Sequence, residues 1–147
     1  MTSSIEINNF ARIPLFGVFE PAAINALSLV GEPRTLEAGE ILFRRDERTN
    51  GGFVVLSGSV ALYENDVDDN PLSVLGPWTL IGENALVVAG TRHVTAAAAE
   101  TLTVMAIDRD MFHNVLLRYP RTAARTRDFV LARLGHLARR SAAVLGV

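Results

Sequence analysis

The segment 81–96, IGENALVVAGTRHVTA, sets Gly82 and Glu83 ahead of an apolar stretch and Arg92 nine residues after the glutamate, in surroundings almost free of charge. Gly82 lets the chain turn tightly into Glu83, Asn84, Ala85 and Leu86, a piece long enough for one helical turn. The first turn of a helix has N–H groups without partners and a positive potential, both suited to an anion. Arg92 could hold the same anion through the two-pronged face of its guanidinium. Glu83 is a poor neighbour for a phosphate but accepts hydrogen bonds from a sugar hydroxyl. Acid, arginine and N–H groups together suit a ribose that carries a phosphate. A plainer arrangement fits the same residues: Glu83 and Arg92 pair with each other across the loop. Residue types and spacing alone do not separate the two.

Other candidates carry less. In ENDVDDN (64–70), Asp66, Asp68 and Asn70 match the first ligand positions of a calcium loop. Pro71, however, stands where that loop needs its sharp-turn glycine, and Pro77 where it needs a bidentate glutamate. The segment reads as a solvated hairpin loop. His93, His113 and His136 lack ligand spacing, and no metal is expected. Ser57-Gly58-Ser59 is not a nucleophile elbow, and no carboxylate pair flanks a cleft. With no cysteine, disulfides, thiolate clusters and cysteine nucleophiles are excluded. With no lysine, so are Schiff-base and P-loop lysines. The expectation is a binding protein, not an enzyme.

The elements that must position Gly82, Glu83 and Arg92 are legible in outline. Helical signals occupy the first thirty residues, broken at Pro14, with Pro21 suited to a first helical turn and Gly31 to a stop. From Glu32 the pattern changes to short β-rich runs, EPRTL, ILFRR, FVVLSGSVALYE and LSVLGPW, with Gly39, Gly58 and Gly76 at strand turns. VTAAAAETLTVMAI reads as two further strands with Glu100 near the turn between them. Such spacing suggests a sandwich or barrel. Helical period returns at 108–120, with Asp108 as N-cap and Met111, Val115 and Leu116 as the apolar stripe. A last helix is expected from about Pro120 to 145, where Val130, Leu134, Leu137, Ser141 and Val144 make a seam suited either to dimer contact or to packing on the parent barrel.

The 147 residues suffice for one domain with a hydrophobic core, and 49% apolar with 20% charged residues is a globular balance. No apolar run reaches the roughly 18 residues of a membrane span, and MTSSIEINNF has neither the basic nor the apolar region of a signal peptide. The expected location is cytoplasmic, without membrane contact. The net charge of −2 conceals a basic tail: from Leu117 onward seven arginines face a single Asp128, a balance of +6 that leaves −8 for the rest. A solvated helix face explains the tail better than nucleic-acid binding.

Over about residues 8–140 the chain resembles the cyclic nucleotide-binding domain family, whose members include cyclic-AMP-dependent kinase regulatory subunits, catabolite-activator-type regulators and cyclic-nucleotide-gated channels. IPLF, LEAGEILF, FVVLSGSVALY and VLGPWTLIGENAL are similar to family landmarks. The most specific is the phosphate-binding cassette, G-E-x-A-L followed by R-x-x-T, matched by Gly82, Glu83, Ala85, Leu86, Arg92 and Thr95. The resemblance implies a mainly β fold: an antiparallel β-roll (double-stranded β-helix or jelly roll) over about 32–108, with N-terminal helices before it and two C-terminal helices over about 109–145. It also implies a ligand, cyclic AMP or cyclic GMP, with Glu83 on the ribose 2′-hydroxyl and Arg92 on the cyclic phosphate. The implied binding set is Gly82, Glu83, Asn84, Ala85, Leu86, Arg92, His93 and Val94.

Four positions depart from the family pattern. His93 follows the arginine where a small residue is usual, Asn84 replaces a leucine, Trp78 stands where a glycine is common, and Arg45 interrupts the F-x-x-G turn after Phe43. His93 could crowd the phosphate, donate to it or point outward. The expected partners are the nucleotide, an effector protein of unknown kind, and a second copy through the last helix. The alternatives are a domain that has lost its ligand and serves as an interaction module, and a nucleic-acid accessory using the arginine-rich helix.

Overall fold

The computed structural model describes the backbone of residues 4–144 and the side chains of residues 6–133. Pro14 and Pro21 divide the first thirty residues as expected. Helix α1 (Ser4–Ala11) ends before Pro14, a single 3-10 turn covers Phe16–Val18, and α2 (Pro21–Val30) has its proline in the first turn, where the missing N–H has no intrahelical partner to lose. Gly31 does end α2, but in extended conformation, its N–H donating to the carbonyl of Leu27.

Eight strands follow: β1 (Glu32–Leu36), β2 (Ile41–Phe43), β3 (Gly51–Ser57), β4 (Val60–Tyr63), β5 (Ser73–Leu75), β6 (Leu80–Ile81), β7 (Thr95–Ala98) and β8 (Leu102–Asp108). They form two antiparallel four-stranded sheets, ordered β1-β8-β3-β6 and β2-β7-β4-β5. Gly58 turns β3 into β4 at φ +81°, and any side chain there would strike the carbonyl of Thr101. A short helix, α3 (Glu83–Val87), interrupts the roll between β6 and β7. Two helices close the chain: α4 (Arg109–Arg118) and α5 (Pro120–Val144). This is the expected β-roll with flanking helices.

Strand alternation builds two cores. On β3, Phe53 and Val55 join Phe43, Val60, Ile81 and Val104 in the cluster inside the roll, while Val54 turns to the helical side. On β8, Leu102 and Val104 face the roll interior and Met105 and Ile107 face the helices. The helical cluster includes Phe16, Ile24, Leu27, Leu86, Phe112 and Val115. Of the stripe expected on α4, Val115 is buried and Leu116 is half-buried against the helical core, but the buried residue near its start is Phe112, with Met111 only half-buried. Asp108 caps α4 as expected, its Oδ1 accepting from the N–H of Asp110 at 2.7 Å.

Tyr119, kept out of the helical region before the following proline, separates α4 from α5. Two buried threonines fix the start of α5: Thr122 Oγ1 accepts from the backbone N–H of Glu20 at 3.1 Å, and Thr126 Oγ1 donates to the carbonyl of Thr122 at 2.8 Å. Of the seam expected on this helix, only the half-buried Val130 falls among the described side chains; Leu134, Leu137, Ser141 and Val144 lie outside them. The 64–70 loop is exposed throughout between β4 and β5. Among the described residues, no helix is long and apolar enough to cross a membrane, and no cluster of three or more acidic or histidine side chains could hold a metal ion.

Candidate functional site

Gly82 is the residue on which the site turns. It precedes α3 with φ +81° and ψ +38°, a left-handed conformation that costs a side-chain-bearing residue about 1–2 kcal/mol. A Cβ placed on it would also come within 2.6 Å of Nη1 of Arg92. The glycine therefore serves twice: it turns β6 into α3, and it leaves room for the arginine's guanidinium beside the backbone.

Arg92 is buried, with 6% of its surface exposed. Its Nη2 donates to the carbonyl of Gly51 at 2.8 Å, and its guanidinium lies over the ring of Phe43, 4.4 Å from the centroid, and over Phe53 at 5.6 Å. The backbone around it is fixed from the β2–β3 loop: Arg92 N–H donates to the carbonyl of Glu47, and Asp46 N–H to the carbonyl of Arg92. Among the described residues, no carboxylate forms an ion pair with Arg92. Burial lowers its pKa from the ordinary arginine value, the charge of Glu47 opposes this, and that of Arg109 adds to the lowering. An arginine remains protonated all the same. The roll therefore contains a desolvated cation held by one carbonyl and two aromatic faces, an environment that a bound anion would improve.

Glu83 does not pair with Arg92. Its Oε2 lies 3.4 Å from Nη2 of Arg133 on α5, whose guanidinium also covers the ring of Phe129. The plainer arrangement allowed by the sequence, acid and arginine closing on each other, is thus not the one the chain adopts. Ala85 is buried and Leu86 fully so, the latter anchoring α3 in the helical core. Asn84 is exposed, which explains why a polar residue is tolerated where the family pattern has a leucine. The His93 side chain is exposed, while its carbonyl accepts from Nη1 of Arg45 at 3.2 Å. Val94 is half-buried against the roll interior, and Thr95 Oγ1 accepts from the N–H of Arg45 at 3.0 Å. Gly82, Glu83 and Arg92 are thereby gathered at one place, whereas the side chains of Asn84 and Leu86 are directed elsewhere.

Residues 33–119 match the family model of the cyclic nucleotide-binding domain. The chain belongs to that family. A cyclic nucleotide-gated potassium channel of Mesorhizobium japonicum is 30% identical over 125 residues, 85% of this chain and 34% of the channel. A CRP-like cAMP-activated global transcriptional regulator of Mycobacterium tuberculosis is 27% identical over 112 residues, 75% of this chain and 50% of the regulator. The domain thus spans between about a third and a half of the length of these curated relatives. The crystal structure of the N-terminal domain of a transcriptional regulator from Streptomyces coelicolor has the same fold, with a TM-score of 0.80 and 27% identity over 88% of this chain and 94% of that one.

Several residues around the site of this cyclic nucleotide-binding domain escaped the sequence reading. Phe43 and Phe53 were legible as strand residues but not as the bed of Arg92. Arg133 was legible only as one charge in a basic tail, and Arg109 as an unremarked helix residue. One signal was available for Arg109: a cation in the first turn of a helix opposes the helix dipole and so requires another reason to be there. The departure at Arg45 also acquires meaning. The left-handed position of the turn after Phe43 falls on Asp46 (φ +73°), a residue type that tolerates it, and Arg45 ties the turn to the carbonyls of Glu64 and His93.

Proposed function

We propose that this domain is a non-enzymatic receptor for cyclic AMP or cyclic GMP. Arg92 binds the cyclic phosphate, Glu83 accepts a hydrogen bond from the ribose 2′-hydroxyl, and Gly82 with the first turn of α3 supplies backbone N–H groups. His93 and Val94 border the phosphate end. The observation that carries this reading is the state of Arg92: a buried guanidinium beside Gly82, with no carboxylate ion pair among the described residues. The arrangement offers an anion a desolvated fork, and it offers a hydroxyl the carboxylate of Glu83 at the head of the same loop.

The signal then passes through α5 to an effector protein. The support is the ion pair between Glu83 and Arg133, which places the last helix in contact with the acid assigned to the ribose. A ligand that engages Glu83 changes what Arg133 can hold, so arrangements of α5 with and without this ion pair would differ in affinity for the nucleotide, as any ligand-driven shift requires. Isothermal titration of the chain with each nucleotide tests the proposal. Saturable binding of at least one is expected; an absence of binding of both at millimolar concentration would leave an interaction module without a ligand.

A further inference from the structure

Arg109 opens α4 with its positive charge at the positive end of the helix, an arrangement that the helix itself disfavours. Its side chain makes no use of α4. Nε donates to the carbonyl of Ala85 in α3 at 2.8 Å, and Nη2 donates to the carbonyl and to Oγ1 of Thr49 at 2.9 and 2.8 Å. Thr49 is in turn locked to the loop that leads into Arg92. Its N–H donates to the carbonyl of Gly90 at 2.9 Å, and its Oγ1 accepts from the N–H of Gly90 at 3.1 Å. The backbone N–H of Arg109 adds a bond to the carbonyl of Asn50 at 2.7 Å. One half-buried guanidinium therefore joins four pieces of chain: α3, the β2–β3 loop, the loop before Arg92, and α4.

We infer that Arg109 is a positioning residue of the nucleotide site, which holds α3 and the Arg92 loop in register and carries any movement of α3 into α4. The inference rests on the proposed receptor function but names a residue that touches no ligand. Its side-chain bonds end on α3 and on Thr49 of the β2–β3 loop, and Thr49 in turn holds the loop before Arg92, so a displacement of α3 on ligand binding pulls on α4 through Ala85. The planar guanidinium presents pre-organised donors to acceptors on two separate elements at once; a lysine ammonium, a point charge on a flexible stem, has no such fork and should hold them less well.

The test uses the full chain carrying Arg109→Lys or Arg109→Gln, with Thr49→Val as a variant that removes the shared hydroxyl and leaves the helix untouched. Hydrogen exchange without ligand is the first readout. Faster exchange over 83–92 in the variants, with an unchanged far-ultraviolet spectrum, is expected; wild-type exchange there would overturn the inference whether or not a nucleotide binds. Titration with cyclic AMP and cyclic GMP is the second. A loss of about tenfold is expected in Arg109→Gln with no rescue by Arg109→Lys, from the weakening of charged hydrogen bonds. The third readout is ligand-dependent slowing of exchange in 109–118, expected in the wild type and lost in the variants. Wild-type affinity and slowing in Arg109→Lys would overturn the inference while leaving the receptor function intact. If the Arg109 variants fail to fold, Thr49→Val carries the same three readouts, and wild-type behaviour in it overturns the inference. Failure of the wild type itself to bind either nucleotide would instead refute the receptor function.

Discussion

Arg133, midway along α5, reaches back to α3 and sets its Nη2 3.4 Å from Oε2 of Glu83. The two side chains are 50% and 24% exposed, so the pair contributes about 1 kcal/mol or less to stability. Its importance is positional: it links the last helix to the acid that faces the proposed ribose.

Arg133→Ala should therefore leave the melting temperature within a few degrees of wild type and change nucleotide affinity by less than about tenfold. It should abolish the ligand-dependent slowing of hydrogen exchange over residues 127–133. Persistence of that slowing in the variant would show that α5 does not receive its signal through this pair.

Glu83→Ala tests the ribose assignment. The wild type should bind a cyclic nucleotide more tightly than its 2′-deoxy analogue, because the deoxy compound leaves the carboxylate without its hydroxyl partner. In the variant the ratio of the two affinities should fall towards one. A ratio equal to that of the wild type would remove Glu83 from the ribose.

Gly82→Ala combines a left-handed backbone with a contact at 2.6 Å to Nη1 of Arg92. A stability loss of about 1–2 kcal/mol is expected from the backbone alone. Affinity should fall at least about tenfold, because the guanidinium must shift and binding geometry tolerates little displacement. Chemical denaturation and titration of the same preparation measure both, and wild-type affinity would mean that Arg92 is not held where the ligand needs it.

Trp78 has φ +63° and meets Phe10 of α1 edge-on at 5.1 Å between ring centroids. Trp78→Gly would relieve about 1–2 kcal/mol of backbone strain, but removing this half-buried indole from its packing against the helical core costs up to about 3 kcal/mol, the low end for a core aromatic. The second effect is larger, so the melting temperature followed by circular dichroism should drop. A rise would mean that the strain outweighs the contact.

The parts of this molecule written in short-range pattern were the parts open to a sequence reading. Gly82, Glu83 and Arg92 stand within one short stretch, and the strands before them are β-rich runs bounded by turn residues. Contacts between distant segments were not open to it. Arg92 meets the carbonyl of Gly51 across forty-one positions and Arg109 meets Thr49 across sixty, and nothing in either neighbourhood announces the other. Gly76 follows directly on β5, at a strand turn as expected, and the left-handed residue of that turn is Trp78, the position where the family pattern has a glycine. On α4 the choice of Met111 over Phe112 was a slip of one residue in a ten-residue helix, too short for periodicity to fix the face.

The central claim is that Arg92 is the anion-binding residue of a nucleotide receptor, and a titration comparing wild type with Arg92→Ala and Arg92→Lys tests it most directly. Removing one partner of a buried, charged hydrogen-bonded pair costs about 2–5 kcal/mol, or roughly 30- to 5,000-fold in affinity. The account predicts saturable binding by the wild type, a loss in that range for Arg92→Ala, and a clear loss for Arg92→Lys, which has no fork. Folded Arg92→Ala and Arg92→Lys chains that both titrate like the wild type would contradict it.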